Sequence, residues 1–117
     1  MAQGDNFCLR FNSFSNNVTT FWQQFQDETD FCDMTLACDG KQIKTHKVII
    51  SAFSPVLSNI LKLNPNPHPL IYLRRVKFRN LQSLLHFMYQ GQVDIAEEDL
   101  SSFLEVTYSL GDYLNKI

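Results

Sequence analysis

The eleven residues from Thr45 to Pro55 (Thr-His-Lys-Val-Ile-Ile-Ser-Ala-Phe-Ser-Pro) force a break between two helices into the middle of this chain. Proline inside a helix removes a hydrogen bond and clashes with the carbonyl four residues earlier. The residue before a proline is pushed out of the helical region. Ser54 is a favoured N-cap and Pro55 suits the first helical position after it. The run therefore predicts a short helix ending at Phe53 and a second starting at once over Pro55–Leu63. In that second helix Val56, Ile60 and Leu63 share one side, with Leu57 and Leu61 beside them. Nothing in the run pairs a nucleophile with a base, so it reads as scaffold for an assembly surface.

A chain of 117 residues suits one compact domain. Apolar residues make up 44% of it, including ten Phe, enough for a core with aromatics to spare for an interface. The net charge is -2 and reads as charges of both signs scattered along the chain with no basic stripe, so direct binding to phosphate backbones is not expected. No apolar run reaches membrane-spanning length, and the polar start is not that of a signal peptide. Three unpaired-looking cysteines, Cys8, Cys32 and Cys38, fit a reducing compartment.

Phe7-Cys8-Leu9-Arg10-Phe11 alternates with period two and predicts a strand with one apolar face. It has no hairpin partner nearby in sequence, so its partner must be distant or on another chain. Ser13–Asp27 predicts a helix with Phe14, Val18, Phe21, Trp22 and Phe25 along one face. Such a stripe faces either the chain's own core or a subunit interface, where large aromatics are enriched. The segment 33–38, an Asp39-Gly40 turn and 41–45 predict a hairpin. The prolines at 65, 67 and 69 impose a loop. Leu70–Leu73 follows as a short buried strand. Phe78–Gln90 is the clearest helix, with Gly91 placed for a left-handed C-cap. Gln92–Ile95 is a strand or extended link. Glu97, Glu98 and Asp99 then open a last helix with charge that suits its dipole. The pattern is α+β, a small three-stranded sheet among short helices.

These segments, in this order, resemble the BTB/POZ domain and in particular its insect Tramtrack-type branch. The resemblance rests on Phe7-Cys8-Leu9-Arg10-Phe11-Asn12, Asp33-Met34-Thr35-Leu36, the run His46–Pro55, His68-Pro69 and Met88-Tyr89-Gln90-Gly91-Gln92-Val93. It extends from Phe7 to about Leu110, with Phe11 and Ser13 where that branch usually has Trp and Asn. Gly111–Asn115 also departs from the usual apolar pattern of the last helix.

The resemblance implies one domain over 1–117, with an N-terminal strand and dimerisation helix at 7–27 and a core at 31–110. It implies a homodimer in which the strand is exchanged between subunits, and assembly of dimers into hexamers. The dimer surface would comprise Phe7, Leu9, Phe11, Phe14, Val18, Phe21, Trp22 and Phe25, with Trp22 and Phe25 expected to dominate. Obligate homodimers usually bury more than about 2,000 Å² in total. Asp33 and Lys47 match a charged pair lining a pocket near that interface. His46, Ser51, Ser54, Pro55, Tyr89 and Gly91 match the structural motif. His46, with Cys32 and Cys38 nearby in sequence, fits no zinc-site spacing, and no triad is visible, so neither metal, cofactor nor catalysis is expected. His68 and His86 read as surface or loop residues.

The function implied is homo-oligomerisation and protein–protein interaction within a nuclear transcription regulator. Partners would be the chain itself, other Tramtrack-type BTB domains and co-regulators. Nucleic acid would be bound only through other domains, and no membrane is involved. The competing reading is a substrate adaptor for a cullin-type ubiquitin ligase, which would add a helical extension after the domain.

Overall fold

The computed structural model describes residues 4–111, and it places a three-stranded sheet against five helices. The order is α1 (Phe14–Gln24), a 3-10 turn (Phe25–Asp27), β1 (Met34–Cys38), β2 (Lys41–Thr45), α2 (Lys47–Phe53), α3 (Pro55–Leu63), β3 (Leu70–Tyr72), α4 (Phe78–Gln90) and α5 (Glu97–Ser109). Of the departing segment Gly111–Asn115, all but Gly111 lies outside the described residues.

The hairpin forms as the turn residues require. Asp39 and Gly40 both adopt positive φ, 55° and 72°, the geometry that matches the twist of the flanking strands. Met34 then faces Thr45 and Cys38 faces Lys41 in antiparallel register. β3 returns parallel to β1, giving the order β2-β1-β3. β1 is the middle strand, and all five of its residues are buried. Met34, Leu36 and Cys38 belong to the main core, together with Ile49, Ile50, Leu57, Leu81, Leu84, Leu85 and Met88.

β3 corrects the expectation of a buried strand. Leu70 and Tyr72 are exposed, Ile71 is half-buried, and Leu73 beyond the strand is the buried residue. An apolar run does not distinguish a central strand from an edge strand. Here only β1 pairs with it, so part of its surface stays open.

The break at Ser54-Pro55 is built into the core. The Ser54 hydroxyl accepts a hydrogen bond from Leu57 N–H at 3.1 Å and donates to the Leu110 carbonyl at 2.7 Å. One buried side chain therefore caps α3 and anchors the end of α5. Gly91, at φ 84°, closes α4 with its N–H on the Phe87 carbonyl.

Candidate self-association surface

α1 contains no fully buried residue, although its apolar face is strong. The stripe divides along its length. Trp22 and Phe25 are half-buried and pack on the core. The Trp22 indole Nε1–H donates to the Met88 carbonyl at 2.8 Å, and its ring lies 6.3 Å from that of Phe53. Met88 is in the last turn of α4, where carbonyls lack partners within the helix, so Trp22 supplies a missing donor. The Phe25 ring lies 5.4 Å from the His46 imidazole. Phe14, Val18 and Phe21 remain exposed.

Phe7, Leu9 and Phe11 add to that exposed set, with Leu9 93% accessible. Residues 4–11 form no strand in the single chain. Phe11 meets Phe14 edge-on at 6.0 Å, which joins the N-terminal segment to the stripe. Phe31 is exposed as well, and it shares a shallow cavity of about 220 Å³ with Phe21 and Phe25. At about 200 Å² for a whole Phe, the five exposed Phe alone leave roughly 700 Å² open, and Leu9 and Val18 add to it. A standard protein–protein interface uses about 800 Å² per partner, and a lone soluble chain rarely leaves that much contiguous apolar area open.

The charged pair is arranged differently from the expectation. Asp33 Oδ1 accepts the backbone N–H of Lys47 at 2.7 Å, so the carboxylate caps the start of α2. Lys47 Nζ donates to the Asn66 carbonyl at 2.7 Å instead of to Asp33. Among the described residues the ion pair is Arg79–Asp99, at 2.9 Å. A half-exposed capping carboxylate is worth less than one side of a buried ion pair. Asp33→Asn keeps an acceptor and is expected to remain folded, losing about 1 kcal/mol or less, while Asp33→Ala loses about 1–2 kcal/mol. Urea unfolding of both variants checks the order.

His46 is buried within a chain of polar contacts that sequence spacing did not reveal. Its Nδ1 lies 2.5 Å from Tyr89 Oη, and Tyr89 Oη lies 2.7 Å from Thr45 Oγ1. Its Nε2 lies 3.7 Å from Cys32 Sγ, which donates to the Glu28 carbonyl at 3.6 Å. A carbonyl only accepts, so for a neutral imidazole hydrogen-bond counting sets every direction. Cys32 donates to Glu28, His46 Nε2–H to Cys32, Tyr89 to His46 Nδ1, and Thr45 to Tyr89. Burial pushes both the Cys32 thiol and the Tyr89 phenol above their ordinary ranges. The Asp33 and Glu28 carboxylates add to the rise at Cys32, while hydrogen bonds from the Thr45 side chain and the His46 backbone oppose it at Tyr89. The network joins β1's entry, the hairpin end and α4.

The remaining motif residues act as structural joints. Ser51 is half-buried in α2, Pro55 opens α3 and Gly91 ends α4. His86 contacts Gln26 at 3.4 Å, and His68 contacts Thr35 Oγ1 at 2.9 Å.

Comparison with known proteins places this geometry in context. The family model described as BTB/POZ domain matches residues 22–112. The chain is 41% identical over 105 residues to "Longitudinals lacking protein-like" of Drosophila melanogaster, covering 90% of this chain and 83% of that protein. It is 40% identical to "Broad-complex core protein isoforms 1/2/3/4/5" and 38% identical to "Protein tramtrack, alpha isoform" of the same organism, over 90% and 89% of this chain. Those two matches span only 14% and 13% of the relatives' lengths. Among solved structures, the BTB (Tramtrack and Bric a brac) domain of human Gigaxonin superposes with a TM-score of 0.73 at 21% identity, over 92% of this chain and 89% of that one, and shares the fold.

Proposed function

This chain belongs to the BTB/POZ domain family, and from that premise we propose that it is the homo-oligomerisation domain of a nuclear transcription regulator. BTB/POZ domains associate with themselves and with other BTB proteins. The observation that carries the reading is the set of exposed apolar residues Phe7, Leu9, Phe11, Phe14, Val18, Phe21 and Phe31 on the N-terminal segment and α1 and just beyond them. Residues 7–27 supply the exchanged strand and the helix that meets its copy, and 31–110 form the supporting core. Residues 4–11, left without a strand partner in one chain, gain one from another. Hexamers built from dimers, pairing with other Tramtrack-type domains and recruitment of co-regulators extend the same reading.

The role in transcription follows from linkage. Joining several DNA-binding units raises their effective concentration at clustered sites, so avidity grows without a new base contact. Fusing this domain to a monomeric DNA-binding domain tests the idea. The fusion is expected to bind a two-site probe about 100-fold more tightly than a one-site probe. Equal affinity for both probes would contradict the proposal.

A further inference from the structure

The near-neutral net charge conceals a segregation that the expectation of mixed signs overlooked. Eight of the ten basic residues, and none of the twelve acidic ones, lie between Gly40 and Val93. Four of the eight, Arg74, Arg75, Lys77 and Arg79, fall within six residues on the loop after β3 and the first turn of α4, and all four are exposed. The loop is pinned at both ends. Leu73 N–H donates to the Ala37 carbonyl at 2.8 Å, and Asn80 and Leu81 N–H both donate to the Lys77 carbonyl.

Two clefts flank this loop and share Lys77. One, of about 430 Å³, is lined by Lys41, Lys77, Phe78, Arg79, Gln82 and Asp39. The Lys41 ammonium sits 5.4 Å from the centre of the Phe78 ring. The other, of about 380 Å³, brings Arg74 and Arg75 together with Val76, Val106 and Glu105. Five cationic side chains thus surround concave surfaces with partly apolar floors.

We propose that this basic double cleft docks an acidic peptide segment, carrying interspersed apolar residues, from a different protein. Arginine forks match carboxylates in a bidentate geometry, and the half-buried Phe78 and Val76 offer contacts for apolar side chains between the acids. A nucleic-acid backbone fits less well. Asp39, Glu105 and the Arg79-paired Asp99 interrupt the positive field, and the chain's total charge is negative. A second copy is also a poorer match. The acids that open α5 already lie beside the patch through Asp99, while Asp27, Glu28 and Asp30 flank the apolar surface.

The patch lies apart from the apolar surface proposed for dimerisation. α1 and the 3-10 turn after it meet α4 near its C-terminal end, through Trp22 on Met88 and Gln26 on His86, whereas the patch lies at its start. Eight residues of helix, about 12 Å, separate Phe78 from His86. The inference is therefore independent of the proposed oligomerisation.

The test is fluorescence anisotropy of the whole chain with a short fluorescein-labelled peptide rich in Asp, Glu and Leu. Its Asn/Gln counterpart and a labelled DNA duplex serve as the other probes. The acidic peptide is expected to bind, to weaken as salt rises, and to lose at least about tenfold in affinity with Arg74→Glu plus Lys77→Glu. These positions leave Arg75, which holds φ 62°, untouched. Lys62→Glu, an equal change of charge per site on exposed α3 surface, is expected to leave binding intact. The neutralising pair Arg74→Gln and Lys77→Gln gives the same readout if the charge-reversed chain fails to fold. No binding of the acidic peptide, tighter binding of the duplex, an equal loss with Lys62→Glu, or a change of oligomer mass on reversing the patch would overturn the proposal.

Discussion

Phe14→Asp combined with Phe21→Asp is expected to yield a folded monomer. Both rings are exposed in the single chain, 58% and 63%, so neither substitution removes core packing. In the proposed assembly both become buried, and each introduced carboxylate must then lose its water without a partner. Several kcal/mol is the ordinary consequence for an unpaired charge. A total of about 4 kcal/mol weakens association roughly 1,000-fold. Far-ultraviolet circular dichroism should remain that of the parent, while sedimentation shows a lighter species. If the parent's stability depends on chain concentration, that dependence should vanish in the variant. An unchanged mass would place the interface elsewhere.

Trp22→Ala is expected to behave differently, although Trp22 stands on the same helical stripe. Its ring packs on the chain's own core and its indole satisfies the Met88 carbonyl at the end of α4. Truncation opens a void between α1 and α4 and leaves that carbonyl without its donor. Core Phe or Trp truncations cost about 3–5 kcal/mol, and the half-exposed position argues for about 3. Domains of this size are typically stable by about 5–15 kcal/mol, so the loss is a large share of the whole. Trp22→Phe separates the two contributions. It keeps much of the packing, loses only the donor, and should cost about 1–2 kcal/mol. Thermal or urea unfolding at fixed concentration reads both. A Trp22→Ala chain of parental stability that merely dissociates would restore Trp22 to the role of interface hot spot.

The contrast between these two predictions shows what the residue pattern carries and what it omits. Helical period places Phe14, Val18, Phe21, Trp22 and Phe25 on one stripe, yet it does not say that the stripe faces two surroundings. That division depends on where α4 ends, and α4 lies more than sixty residues away in sequence. Local chemistry was readable directly. Asp39-Gly40 set the hairpin, Ser54-Pro55 set the helix break, and Gly91 set the end of α4, because each acts through its own backbone. Non-local choices were not. Lys47 reaches the Asn66 carbonyl across a proline-rich loop, so the expected side-chain pair with Asp33 does not form. Cys32, His46, Tyr89 and Thr45 meet only once the sheet and α4 are assembled. The basic cluster was countable from the start, but a net charge of -2 averages it away.

The apolar surface from Phe7 to Phe31 is the centre of this account, and the mass of the unmodified chain in solution tests it most directly. Multi-angle light scattering behind size exclusion, at micromolar concentration, is expected to give at least twice the chain mass of 13.6 kDa. A single species at 13.6 kDa across that range, with Phe7, Leu9 and Phe21 open to water, would contradict it.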